Sequence, residues 1–232
     1  MEPAITISGL AKHFTLHVQG GVTLPALSGV SLTVSSGECV ALHGPSGAGK
    51  SSLLRLVYGN YRCQEGSIRV RHRGGTLDIA TATPQQILEM RRVTAGHVSQ
   101  FLRVIPRVPA LEIVAEPARA FGIARAEAEH RAERLLSRLR IPERLWFLPP
   151  ATFSGGEQQR INIARGFVAE FPILLLDEPT AALDADNRRT VVSLIREAKA
   201  RGAAVLGIFH DGEVREAVAD RLVPMRGLSQ AA

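Results

Sequence analysis

Cysteine, tryptophan, tyrosine and lysine are nearly missing from this chain: 232 residues carry two Cys, one Trp and two Tyr, and lysine stands only at Lys12, Lys50 and Lys199. Two cysteines, Cys39 and Cys63, cannot make a disulfide framework. Cys39 sits in an apolar run and reads as a small core residue. No stretch approaches the ~18 consecutive apolar residues of a membrane span, so no direct insertion into a membrane is expected. The first residues, Met1-Glu-Pro-Ala-Ile-Thr-Ile, lack a basic region followed by an apolar one, and no signal peptide is expected. A reducing, cytoplasmic setting fits these absences. His13, His17, His43, His72, His97 and His130 show no metal-ligand spacing with the cysteines, which argues against a zinc site. Basic residues exceed acidic ones, 28 to 22, but the excess is almost entirely arginine and is scattered, so a nucleic-acid partner is not expected. The densest run, Arg69-Val-Arg-His-Arg73, alternates like an exposed strand with Val70 turned inward. A hydrophobic content of 45% and a charged content of 22% are those of a soluble globular protein, long enough for one large core or two small lobes. Internal repeats and low-complexity tracts are absent.

What is present begins at residues 44–51, Gly-Pro-Ser-Gly-Ala-Gly-Lys-Ser. This is the G-x-x-x-x-G-K-S pattern of a phosphate-binding loop. Gly44, Gly47 and Gly49 allow a tight turn in which the N–H groups of Pro45-Ser46-Gly47-Ala48-Gly49 and its neighbours, Pro45 itself excepted, converge on one anion. Lys50 can reach the β- and γ-phosphates, Ser51 can place its hydroxyl on Mg²⁺, and Ser52 continues into a helix whose N-terminus favours negative charge. Residues 38–43 read as a short buried strand, and residues 52–57 as the start of the helix.

A second segment, Phe171-Pro-Ile-Leu-Leu-Leu-Asp-Glu-Pro179, ends four apolar residues on two carboxylates. Ile173 to Leu176 suit a strand buried on both faces. Asp177 stands where a carboxylate can hold Mg²⁺, and Glu178 where one can polarise an attacking water as general base.

The third segment, Phe153-Ser-Gly-Gly-Glu-Gln-Gln-Arg160, resembles the signature of the ATP-binding-cassette (ABC) ATPases. On that resemblance, Gln100 matches the family's Q-loop glutamine, a catalytic and metal-facing residue. Ala182-Leu-Asp184 matches the D-loop, His210 the switch histidine, and Phe14 the aromatic that stacks on adenine. Ala181-Ala182 departs slightly, with no hydroxyl before Leu183-Asp184. The resemblance implies ATP and Mg²⁺ as cofactors and a partner cassette packed head to tail, each ATP lying between one P-loop and the other chain's signature. The residues agree physically. Ser154, Gly155 and Gly156 precede a helical stretch at 157–169 and make a second anion-favouring helix end; the alternative is a plain Ser154 N-cap.

The expected fold is therefore α/β: a P-loop core with a mostly parallel sheet, an antiparallel β-subdomain at one edge, and an inserted helical subdomain over about 101–165, all in one cassette spanning 1–232. Residues 5–34 read as two or three edge strands, and residues 66–79 as a hairpin turning at Gly74-Gly75. Residues 127–140 read as a helix with Leu135, Leu136 and Leu139 on one stripe, stopped by Pro142. A helix over 186–201 closes at Gly202, and a strand follows to Phe209.

Four segments give a finer resemblance: 98–106, Ile141-Pro-Glu-Arg-Leu-Trp146, 152–167 and 196–211. Together they closely resemble the PhnL family, ABC-type subunits of the bacterial phosphonate carbon–phosphorus lyase system. That resemblance implies a cytoplasmic role with soluble lyase subunits in making a ribose 1-phosphonate 5-triphosphate from ATP and a phosphonate. The apolar residues Phe101, Leu102, Val104 and Ile105, beside Arg103 and Arg107, would then form a protein interface, unless they pack into the core. The alternative is the ATP-binding subunit of a lipoprotein- or macrolide-exporter type transporter, coupled to a membrane partner through the groove beside Gln100. A non-enzymatic alternative is an ATP-gated clamp.

Overall fold

Alternation along three short parallel strands organises the molecule into layers. The structure is a computed structural model that describes residues 3–16, 21–102 and 106–226; His17, Arg103, Val104 and Ile105 lie outside the described residues. Strands β3 (Cys39–His43), β7 (Ile173–Asp177) and β8 (Ala204–Ile208) belong to a five-stranded sheet with order β6-β7-β8-β3-β9. Its other members are β6 (Ala95–Val98) and β9 (Arg221–Pro224), and every pairing in it is parallel. Side chains alternate across it as a period of two requires. Cys39, Ala41, Leu174, Leu176 and Val205 face one apolar cluster, while Val40, Leu42, Ile173, Leu175 and Leu206 face another. Burial on both faces explains the continuous Ile-Leu-Leu-Leu run of β7.

The first cluster is covered by helices α3 (Ala110–Ala120), α4 (Arg125–Arg138), α6 (Gly155–Phe167), α7 (Ala185–Ala200) and α8 (Gly212–Val218), with the short α5 (Glu143–Trp146) beside them. The second is covered by α1 (Lys50–Val57), α2 (Pro84–Val93) and a four-stranded antiparallel sheet. That sheet has the order β2-β1-β4-β5, with β1 Pro3–Leu16, β2 Val22–Ser35, β4 Glu65–His72 and β5 Gly75–Asp78.

Two turns differ from the sequence reading by a residue or two. The β4–β5 hairpin turns at Arg73-Gly74, not Gly74-Gly75: both have positive φ, 48° and 78°, and His72 pairs with Gly75. Two left-handed central residues make the turn whose twist matches the flanking strands. Helix α4 ends before Pro142. Arg140 adopts φ 54°, and the Ile141 N–H reaches back to the Leu136 carbonyl while that of Arg140 reaches Ser137, a Schellman-type stop. Pro142 instead stands at the N-cap of α5.

Candidate active site

The carboxyl ends of β3, β7 and β8 lie side by side, because β8 sits between the other two; this is the edge at which open α/β sheets take their ligands. From β3 the chain passes through residues 44–49 into α1. Gly49 has φ 84°, and a Cβ there would stand 2.4 Å from the Ala26 carbonyl oxygen. At Gly44 a Cβ would fall 2.2 Å from the Met225 carbonyl oxygen. Glycine at these two positions lets the loop pack between β2 and the segment after β9. Ala48 is buried, whereas Pro45, Ser46 and Gly47 are exposed.

Lys50 is buried and donates to the carbonyls of Gly44 and Pro45, both at 2.8 Å. Among the described residues no carboxylate pairs with it, and no hydrogen bond ends on the N–H groups of Gly47, Gly49, Lys50, Ser51 or Ser52. A buried cation satisfied by neutral carbonyls, inside a ring of open donors, fits a polyphosphate. Ser51 Oγ donates to Asp177 Oδ1 at 3.0 Å. These two oxygens, brought from residues 126 apart, suit a hard cation. Burial pushes the Asp177 carboxyl above its usual range, and the bond from Ser51 pulls it partly back. No group of three or more His, Cys, Asp or Glu among the described residues could hold a metal, so nucleotide oxygens would complete the site.

One residue on, Glu178 has φ 53°. For a glutamate this costs about 1–2 kcal/mol. The N–H of Glu178 donates to the Ile208 carbonyl at 3.1 Å, and its Oε1 lies 2.8 Å from His210 Nε2. The strained turn thus sends Asp177 toward the loop and Glu178 toward β8. Both Glu178 and His210 line a cleft of about 490 Å³ with Thr180, Leu183, Arg188 and Asp211.

Ser154 caps α6. Its N–H and Oγ both donate to Glu157 Oε2, at 2.9 and 2.7 Å, and its Oγ accepts the Glu157 N–H at 3.3 Å. A Cβ on Gly155 would meet nothing within 4 Å, whereas one on Gly156 would touch the Ala182 carbonyl at 3.4 Å. Of the two readings of Ser154, the structure shows the N-cap, closed as a capping box with Glu157. Asp184 is the N-cap of α7, taking the Asn187 N–H at 2.8 Å and the Asn187 side-chain amide on both oxygens, and those bonds hold its carboxyl below the usual range.

Two positions are not drawn into these contacts. Gln100 is exposed in the bend after β6, and among the described residues its side chain has no hydrogen-bond partner. Phe14 is half-buried on β1 opposite Leu24, two or three residues along from where Ala26 and Leu27 abut Gly49, roughly 7–10 Å away by strand rise. Its ring meets Tyr61 edge-on at 5.2 Å and carries the Lys12 ammonium 5.2 Å from its centroid.

Sequence reasoning missed the supports of the site. Gln159 of α6 donates to the Pro179 carbonyl at 3.3 Å, and Asn162 to the Ser99 carbonyl at 2.6 Å. Arg188 pairs with Asp211 at 2.5 Å, while Asp211 Oδ1 takes the N–H groups of Glu213 and Val214. The cap was legible as an Asp just before a Gly, two residues beyond the apolar run that ends at Phe209. Its pairing with Arg188 was not, because it joins α7 to the start of α8 across the intervening β8.

The sequence profile of the ABC transporter family matches residues 27–181. The chain is 43% identical over 192 residues to the lipoprotein-releasing system ATP-binding protein LolD of Maricaulis maris, covering 82% of each. It is 34% identical over 213 residues to the macrolide export ATP-binding/permease protein MacB of Marinobacter nauticus, covering 92% of this chain and 32% of that one. The chain thus spans about a third of the length of its MacB relatives. Among solved structures, the dimeric structure of MJ0796, described as a bacterial ABC transporter cassette, superposes with a TM-score of 0.86 at 28% identity, covering 96% of this chain and 94% of that one.

Proposed function

The chain belongs to the ABC transporter family of ATP-binding cassettes and has that family's α/β fold, and from this premise we propose that it is the ATP-hydrolysing subunit of a transporter of the lipoprotein-release or macrolide-export kind. The observation that carries the hydrolytic part is the split at the end of β7: Asp177 bonded to Ser51, and Glu178 bonded to His210 on the neighbouring strand. Residues 44–52 would bind the phosphates, with Lys50 exchanging its two carbonyls for phosphate oxygens. Mg²⁺, held by Ser51 and Asp177 with Gln100 swinging in, would neutralise charge developing on the phosphates. Glu178 would take the proton of the attacking water, His210 orienting it. Phe14 would stack on the base. Ser154, Gly155 and Gly156 would face the nucleotide of a second cassette, with Asp184 at the seam.

The names of the relatives and the dimeric neighbours support a second cassette and a membrane permease as partners. A groove of about 390 Å³ between the core sheet and the helical region would seat the permease; it is lined by Tyr58, Leu88, Arg91, Arg92, Glu116 and Arg165. No described helix is long and apolar enough to cross a membrane, so the membrane part would come from elsewhere. We propose the boundaries 1–232 for the cassette, with the helical subdomain over about 101–165.

A second reading, service to the phosphonate carbon–phosphorus lyase system, rests on the four resembling segments. Phe101, in the first of them, is 75% exposed, an apolar surface suited to a soluble partner. None of the relatives described above is named for that system, so the transporter reading stands first. A deletion strain separates the two. Lost export or lipoprotein release with normal growth on a phosphonate as sole phosphorus source supports the transporter. Lost growth on phosphonate with phosphonate uptake intact would overturn it in favour of the second reading.

A further inference from the structure

The signature end of α6 already holds an anion of its own. Glu157 Oε2 takes two hydrogen bonds from Ser154, one from the backbone N–H and one from the hydroxyl. Those bonds keep the Glu157 carboxyl below the usual range, with Arg160 and Arg144 the cations that face it. A serine hydroxyl has one proton, so Ser154 cannot donate it to Glu157 and to a phosphate at once. The helix end also favours one negative charge within its first turn, and a carboxylate already provides it. On the outward side there is room, since nothing among the described residues would meet a Cβ on Gly155. Arg160 is engaged with the carbonyls of Gly156, Leu139 and Arg140, so it offers a displaced carboxylate a cation close at hand.

We propose that Glu157 is a built-in competitor for the signature site: its carboxylate holds Ser154 until the second cassette's nucleotide displaces it, and it thereby sets the ATP concentration at which two cassettes close. This rests on the head-to-tail reading above. Glu157 acts through Ser154 and is a positioning residue, not a catalytic one.

The test uses the full chain in a hydrolysis-dead Glu178→Gln background, with dimer formation followed by analytical ultracentrifugation against Mg-ATP. Glu157→Gln keeps the capping box, since glutamine serves at that position, but removes the charge. It should lower the half-saturating ATP roughly five-fold, leave nucleotide affinity of the monomer unchanged, and lose most of its advantage at ~1 M salt, where the Debye length is about 3 Å. Glu157→Ala removes the charge and the reciprocal half of the capping box, leaving Ser154 Oγ to cap the backbone N–H; a competitor predicts that it too closes at lower ATP, whereas a purely structural role predicts the reverse. If Glu178→Gln alone dimerises but neither Glu157 variant lowers the half-saturation, the competitor role is overturned by itself. If Glu178→Gln stays monomeric at saturating Mg-ATP, the head-to-tail reading falls and this inference with it.

Discussion

The two helix ends proposed to meet phosphate, at α1 and at α6, are furnished in opposite ways. Helix α1 starts from a left-handed Gly49 with no side-chain cap and no acid in its first turn, and a buried lysine stands there without a carboxylate. Helix α6 starts from Ser154 closed by a complete capping box. The first end has its donors open and its shape held by contacts from β2 and the segment after β9; the second has satisfied itself. An open end can take up a nucleotide alone. A self-capped end must exchange an internal bond for an external one, which under the proposed head-to-tail pairing happens when a second cassette delivers its phosphate.

The sharpest way to break this comparison is at the chemistry beside the open end. Glu178→Gln should cut ATP turnover by about 10²-fold or more while ATP still binds; turnover at the unmutated rate would remove Glu178 as the base. Lys50→Ala should weaken nucleotide binding itself, read by titration with a fluorescent ATP analogue, because no other cation stands inside the loop.

At the self-capped end the order reverses. Ser154→Arg should leave binding to the monomer near normal and abolish ATP-driven dimers on size-exclusion chromatography in the hydrolysis-dead background. Equal dimer formation would show that α6 faces no partner phosphate.

A pair of alanines sharpens the contrast further. Gly49→Ala combines positive φ with a 2.4 Å approach to the Ala26 carbonyl and should cost about 2–3 kcal/mol of stability in urea unfolding. Gly155→Ala meets nothing among the described residues and should shift the monomer by less than ~0.5 kcal/mol. Its effect should appear only in dimer closure.

The smallest effect lies at the strut between the helical region and the core. Arg138 on α4 holds Glu197 on α7 with two bonds, 2.9 and 2.6 Å, and these bring the Glu197 carboxyl down to about 2. Both side chains are about 40% exposed, so screening limits the pair to under ~1 kcal/mol. The folded value lies below the ordinary one. The contribution is therefore complete above pH ~4.5 and is lost as pH falls toward 2. Arg138→Met should lower the unfolding free energy slightly at pH 7 and less at pH 3; an equal loss at both would assign the effect to packing of the arginine stem.

How far the sequence could be read follows from the range of each interaction. The run 44–51, the β7 strand, the α4 stripe and the stop at Gly202 all depend on residues within one or two turns of each other, and local pattern suffices for those. Elements α2, β6, α8 and β9 went unread because each is short or weakly patterned: α2 buries only Met90, and β6 and β9 have four residues each. The capping box at Ser154 and Glu157 was also local. It was legible as a serine followed by a glutamate three residues on, yet the glutamate was read only as part of a signature.

Contiguous residues are enough to mark a phosphate loop, a carboxylate-ended buried strand and a second anion-favouring helix start, because backbone geometry at each is local. Which of these meet is set by the order in which distant strands pack. Ser51 reaches Asp177, Glu178 reaches His210, and Arg188 reaches Asp211 because β8 lies between β7 and β3 and because Glu178 turns left-handed at the strand end. Parallel strand order is a matter of long crossovers, whose pairing partners carry no local mark in the chain.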